Sequence, residues 1–241
     1  MKLGILACDH VRPALLPQFG DYIDMFEKPL RRHIPNLELV TYRLCDDEFP
    51  AQVTDCDAYI STGSRQSVYS DIDWVKKFSA LVTVLAEKEI PFVGICFGHQ
   101  MMAHALGGKV EKARVGWGVG ISSVQIKQSP SWMTIDHTTP SPEYHLIVSH
   151  QDQVTVLPEN ATVLASNDFC PYSMIQIGQS LLGIQGHPEF NKEYSRTLMM
   201  IRKDKLGPKT LQNGLESLDL KLDSDLVFAW IGRFLQNCQK E

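Results

Sequence analysis

Cys96 lies in Val93-Gly94-Ile95-Cys96-Phe97-Gly98-His99-Gln100, directly after an apolar run and directly before a helix-like one. The G-x-C-x-G pattern is the thiol form of a nucleophile elbow. A sharp strand-to-helix turn projects the nucleophile above a sheet, and the flanking glycines let the backbone pack through the turn. Cysteine attacks as the thiolate, and at a helix N-terminus Cys96 faces unpaired amides and the positive end of the helix dipole. The same turn aims the Phe97 amide at the oxyanion that forms when sulfur adds to a carbonyl.

A thiolate attacking an amide needs a base that takes and returns a proton. Among eight histidines, the best placed is His187 in Gly186-His187-Pro188-Glu189-Phe190, which follows the apolar run Leu181-Leu182-Gly183-Ile184-Gln185. It therefore sits at a strand end, where α/β folds build their sites. Pro188 biases His187 to an extended conformation, in which residues two apart point the same way. Glu189 can then fix the imidazole's tautomer and support its protonated form, completing a nucleophile, base and orienter set.

Strand-like and helix-like segments alternate through the first half, the signature of parallel β-α-β units. Residues 3–7, 37–43, 59–61 and 92–95 read as strands, and 21–33 and 74–89 as the helices between them. Pro29 sits inside the first helix, where a kink or break is expected. Residues 97–106 form a short helix stopped by Gly107-Gly108. Short β-like pieces follow at 119–126, 144–149, 162–165, 173–177 and 181–185, as if antiparallel hairpins had been added to the sheet. A last amphipathic helix spans 223–239, with Leu226, Val227, Trp230, Ile231 and Phe234 on one stripe. The expected fold is an α/β three-layer domain over residues 1–241, with a mainly parallel twisted sheet flanked by helices and a helical extension at 206–241.

Composition narrows the function classes. The 241 residues are 44% hydrophobic and 21% charged, enough to bury a sizeable core. A net charge of -5, with no basic run longer than Arg31-Arg32, gives no footprint for nucleic acid. No apolar run reaches membrane-spanning length. The six cysteines form no C-x-x-C pair, so reduced thiols in the cytoplasm are expected. His99 and His104 are five apart and do not share a helical face, so no metal site is expected. Cys8-Asp9-His10 ends the first strand and could line the site, but reads as a loop. Gly116-Trp117-Gly118-Val119-Gly120 reads as a turn into a hairpin rather than a nucleotide fingerprint.

The segment Gly94 to Gln100, together with Gly186-His187-Pro188-Glu189, resembles the class I (triad) glutamine amidotransferases, in particular the glutaminase domain of GMP synthetase and its stand-alone relatives. The likeness runs from the first strand to about residue 200. It implies a flavodoxin-like fold and a Cys96-His187-Glu189 triad that hydrolyses a γ-carboxamide through a γ-glutamyl thioester, with no cofactor. It also implies that Gln100, Ser149 and His150 contact the glutamine substrate, and that the Gly63 amide joins that of Phe97 in the oxyanion hole. The chain departs from the family's usual pair of glycines and proline here, carrying Thr62-Gly63-Ser64 instead.

Three functions stay open on this sequence. One is a glutaminase that passes ammonia to a separate synthase subunit, since no phosphate-binding loop for an acceptor domain is present. A second is a hydrolase of γ-glutamyl peptides or conjugates, which gives the same thioester to water. The third is a non-catalytic redox or binding protein in which Cys96 is reversibly oxidised, a role with no use for His187 and Glu189.

Overall fold

The computed structural model describes residues 1–134 and 141–239. Its first half is built as the alternating pattern requires. Strands β1 (Lys2–Ala7), β2 (Glu38–Arg43), β3 (Ala58–Ser61) and β4 (Phe92–Ile95) are joined through helices α1 (Leu16–Phe19), α2 (Tyr22–His33) and α3 (Asp73–Glu87), and β4 runs into α4 (Phe97–Ala105). Helix α2 continues through Pro29, so the expected break does not occur. Asp21 and Asp24 close a capping box at its start, and Phe26 and Leu30 anchor it in the core. That docking outweighs the one backbone hydrogen bond proline removes.

The second half contains β5 (Lys109–Lys112), β6 (Gly118–Ile126), β7 (Glu143–His150), β8 (Asp152–Val156), β9 (Ala161–Ser166), β10 (Met174–Ile177) and β11 (Leu181–Ile184). Helices α5 (Lys192–Ile201), α6 (Lys203–Leu206), α7 (Pro208–Ser217) and α8 (Ser224–Asn237) follow. The main sheet has the order β2-β1-β3-β4-β11-β10-β9-β6-β7, while β5 and β8 pair separately. Pairing is parallel from β2 across to β11 and antiparallel from β11 to β7. The sheet is therefore mixed, with its parallel portion carrying the elbow.

Strands β3, β4 and β11 are buried along their whole length because helices cover both faces. On one face Leu3, Ile5, Val93 and Ile95 pack with Phe26 of α2 and Phe228 and Ile231 of α8. On the other, Tyr59 and Phe92 pack with Phe78 of α3 and Phe97 and Met101 of α4. The three layers follow from these two clusters. The antiparallel portion curls back on itself: the His187 amide donates to the Ile147 carbonyl at 2.8 Å, an antiparallel bridge that ties the segment after β11 to edge strand β7. No helix among the described residues is long and apolar enough to cross a membrane.

Helix α4 crosses so close to β4 and β3 that two side chains had to be removed. A Cβ at Gly94 would lie 2.6 Å from the His99 amide nitrogen, and one at Gly98 would overlap Ser61 Oγ. Backbone cannot yield as a flexible side chain does, so Gly94→Ala is expected to destabilise the protein by about 1–3 kcal/mol. Chemical denaturation measures this, and a stability equal to wild type would contradict such close helix-strand packing.

Candidate active site

Residue 96 is where β4 stops being a strand. The Cys96 amide still donates to the Ile184 carbonyl of β11 at 2.8 Å, but its φ of 49° and ψ of -90° leave every ordinary region for an L-residue. Strain of this kind costs about 1–3 kcal/mol and persists only where the surroundings enforce it. Here the ladder to β11 holds one side and α4 the other. The Gln100 amide returns to the Cys96 carbonyl at 3.0 Å, the first bond of α4. The amides of the opening turn have no intrahelical acceptor.

Strands β4 and β11 are parallel and in register, Ile95 beside Ile184, so they end side by side. Cys96 and His187 accordingly emerge at the same rim. A Cβ at Gly63 would sit 2.8 Å from His187 Cε1 and 3.6 Å from Cys96 Cβ, so the three residues meet at one point. The His187 ring is buried beside Cys96 and Glu189. Its Nδ1 lies 2.8 Å from Glu189 Oε1. With Nδ1 donating there, Nε2 is left for sulfur. The Phe190 ring stacks on the imidazole at 4.1 Å with an interplanar angle of 3°, and Tyr194 packs edge-on against Phe190. Burial pushes the His187 pKa down, but the charges of Glu189 and Cys96 and the bond to Glu189 outweigh it and raise the value to about 10.

The residues implied as substrate contacts lie along the same cleft. Gln100 is buried, and its amide nitrogen donates to the Asp152 carbonyl at 2.7 Å and to Gln185 Oε1 at 3.1 Å. Both of its donors are spent within the protein, so only its carbonyl oxygen is left for a ligand. Ser149 Oγ accepts from Arg202 at 2.8 Å. His150 Nδ1 lies 3.0 Å from the Asp152 carbonyl, and burial lowers its pKa to about 4, which keeps the ring neutral. Cys96, Gln100, Ser149, His150 and Asp152 all line one open cleft.

Several further residues have a place in this site that the sequence reading did not assign to it. Gln185 Nε2 donates to Cys96 Sγ at 3.5 Å, because the parallel register sets the two residues side by side. Asp9, read as loop, lines the pocket and pairs with Arg65 at 2.8 Å. Arg12 and Arg202 line the same pocket from distant parts of the chain. A signal for Gln185 was available in its position two residues before His187 on a strand that ends at the site.

His10, Cys45 and Asp46 form a second grouping, with ligand atoms within 4.8 Å of one another. Sequence spacing gave no hint of it, since 35 residues separate His10 from Cys45. It is a poor nucleophilic centre. Burial, then the charges of Asp46 and Asp9, push the Cys45 thiol up to about 12. Cys45 sits in a single 3-10 turn, Leu44–Asp46, rather than at the start of an α-helix, and none of the three residues lines the cleft beside Cys96.

The chain is similar to known proteins in sequence and in fold. The family described as glutamine amidotransferase class-I matches residues 21–203. The chain is 34% identical to "Gamma-glutamyl peptidase 5" of Arabidopsis thaliana over 73% of its length and 70% of that protein. It is 28% identical to a glutamine-hydrolysing GMP synthase subunit of Halobacterium salinarum, over 66% of this chain and 80% of the other. A crystal structure of a glutamine amidotransferase from Thermotoga maritima superposes with a TM-score of 0.74 over 99% of both chains at 20% identity, a likeness of fold.

The raised His187 value generates a test independent of turnover. A folded-state pKa above the unfolded 6.5 means that the pair's stabilisation is fully present below pH 6.5 and is lost as pH rises through about 10. Histidine NMR should show the His187 midpoint falling in both Cys96→Ala and Glu189→Gln. A midpoint unmoved by Cys96→Ala would contradict the coupling of imidazole to sulfur.

Proposed function

Because the chain belongs to the class I glutamine amidotransferase family, we propose that it hydrolyses a γ-glutamyl amide through a thioester on Cys96. The observation that carries this reading is the meeting of a strained elbow thiol with the His187–Glu189 pair at one rim of the sheet. The Cys96 thiolate adds to the γ-carbonyl carbon, and the amides of Phe97 and Gly63 receive the oxyanion. His187 gives its proton to the departing nitrogen as the C–N bond breaks. The neutral imidazole then takes a proton from water, which attacks the thioester and releases glutamate with the sulfur restored. Glu189 holds the ring and stabilises its charged form, as in other nucleophile-base-acid sets. At the α-carbon end, the Gln100 carbonyl oxygen and Asp152 face the substrate ammonium, with Ser149 and His150 beside them.

The nitrogen half of the substrate defines two versions. Release of ammonia from glutamine would serve a separate synthase partner, a version supported by likeness to the Halobacterium salinarum protein. Release of an amino acid or peptide with water as acceptor is supported by the higher identity to the plant γ-glutamyl peptidase and by the breadth of the cleft around Cys96. Cys8, Cys45, Cys56, Cys96 and Cys170 are free thiols, which suits a reducing compartment such as the cytoplasm.

Steady-state assays with glutamine and a panel of γ-glutamyl peptides, alone and with cell extract, test the reading. Cys96→Ala should lower kcat by at least about 10⁴-fold while the fold is kept, with Glu189→Gln losing less. Full activity in Cys96→Ala would refute the assignment. Turnover of glutamine alone would select the glutaminase version.

A further inference from the structure

Resting on the γ-glutamyl hydrolase reading, we propose that Arg12 and Arg202 form a carboxylate subsite for the leaving group, so that the preferred substrate is a γ-glutamyl amino acid or peptide with a free carboxylate on the amine half.

The argument begins with charge. Arg12, Arg65, Arg202, Lys112 and Lys205 line the two connected pockets around Cys96, against Asp9, Asp152 and Asp204. That leaves a surplus of two positive charges in a protein whose net charge is -5. Arg65 is already neutralised by Asp9. Among the described residues, neither Arg12 nor Arg202 has a carboxylate within ion-pair distance. Arg202 is half-buried, fixed by its bond to Ser149 Oγ at 2.8 Å and by the Trp117 ring 5.5 Å below its guanidinium. Burial lowers its pKa, and the charge of Arg12 adds to that lowering. Two guanidiniums that line one pocket without a carboxylate partner form a site for an anion, and guanidinium recognises carboxylate well.

The γ-glutamyl group does not supply that anion by itself, because its α-ammonium and α-carboxylate cancel. Glutamine is thus a net-neutral ligand for a cleft with surplus positive charge. Position points to the amine half. The general acid protonates the departing nitrogen, so the leaving group must lie over His187. The wall on that side is built from Phe190 stacked on His187, then Tyr194 and Tyr22, and Arg12 and Arg202 stand where this pocket opens into the outer cleft, lining both. Gln100, His150 and Asp152 line the outer cleft and not this pocket.

The test compares γ-glutamylglycine with γ-glutamylmethylamide, which differ by one carboxylate on the amine half. Wild-type kcat/KM should favour the glycine compound by about tenfold or more, the value of a charge-assisted contact. In Arg12→Gln and in Arg202→Gln that ratio should fall toward one. Arg12 is exposed, so its variant keeps the fold and the test stands even if Arg202→Gln is unstable. A wild-type ratio near one would overturn the proposal. So would variants that weaken both substrates equally, since the guanidiniums would then serve the α-carboxylate. Turnover of neither compound by wild-type enzyme would instead overturn the hydrolase reading, and this inference with it.

Discussion

The parallel ladder between β4 and β11 is the constraint on which the site depends. It places Ile95 beside Ile184 although 89 residues separate them, so the chain leaves the sheet twice at the same rim. One departure is the elbow that carries Cys96. The other is the extended segment that carries Gln185, His187 and Glu189. Because the Cys96 amide is still bonded to the Ile184 carbonyl, the strain at residue 96 is borne by the same ladder that positions its partners. A slip of one residue would turn Gln185 away from sulfur and break the meeting with His187.

The antiparallel portion of the sheet supplies the second anchor. His187 is pinned at its amide by Ile147, in the middle of edge strand β7, and at its ring face by Phe190. Strand β7 continues to Ser149 and His150 and then, through Gln151, to Asp152 at the start of β8. One closure therefore fixes His187 and brings in the other wall of the cleft. Burial of the His187–Glu189 pair removes both from water, so each becomes dependent on the other. An imidazolium with sulfur on one side and a carboxylate on the other is the compensated arrangement for such a place.

Much of this was legible in the residues. The elbow was readable because nucleophile, glycines and helix start occupy adjacent positions, and the His-Pro-Glu segment because proline fixes the alternation that aligns His187 with Glu189. The parallel strands announced themselves as short apolar runs with helical stretches between them. Strands β5 and β8 did not. Both are short, and β5 is mostly exposed and charged, so pairing rather than burial defines them. Helix α5 was hidden by its polar start at Asn191, whose side chain caps it by accepting from the Tyr194 amide at 2.7 Å. Pro29 misled because local propensity was outweighed by docking of Phe26 and Leu30. The arginines of the cleft were invisible for a different reason: nothing in sequence links Arg12 to Arg202, and only the tertiary fold turns two scattered cations into a shared electrostatic field.

On the proposed mechanism, acyl transfer passes through the sulfur at position 96. Acid-quenched single turnover with a γ-glutamyl substrate, followed by peptide mass spectrometry, tests it directly. A glutamyl adduct is expected on the peptide bearing Cys96. An adduct on Cys45 instead, or turnover with no adduct on Cys96 at any quench time, would contradict it.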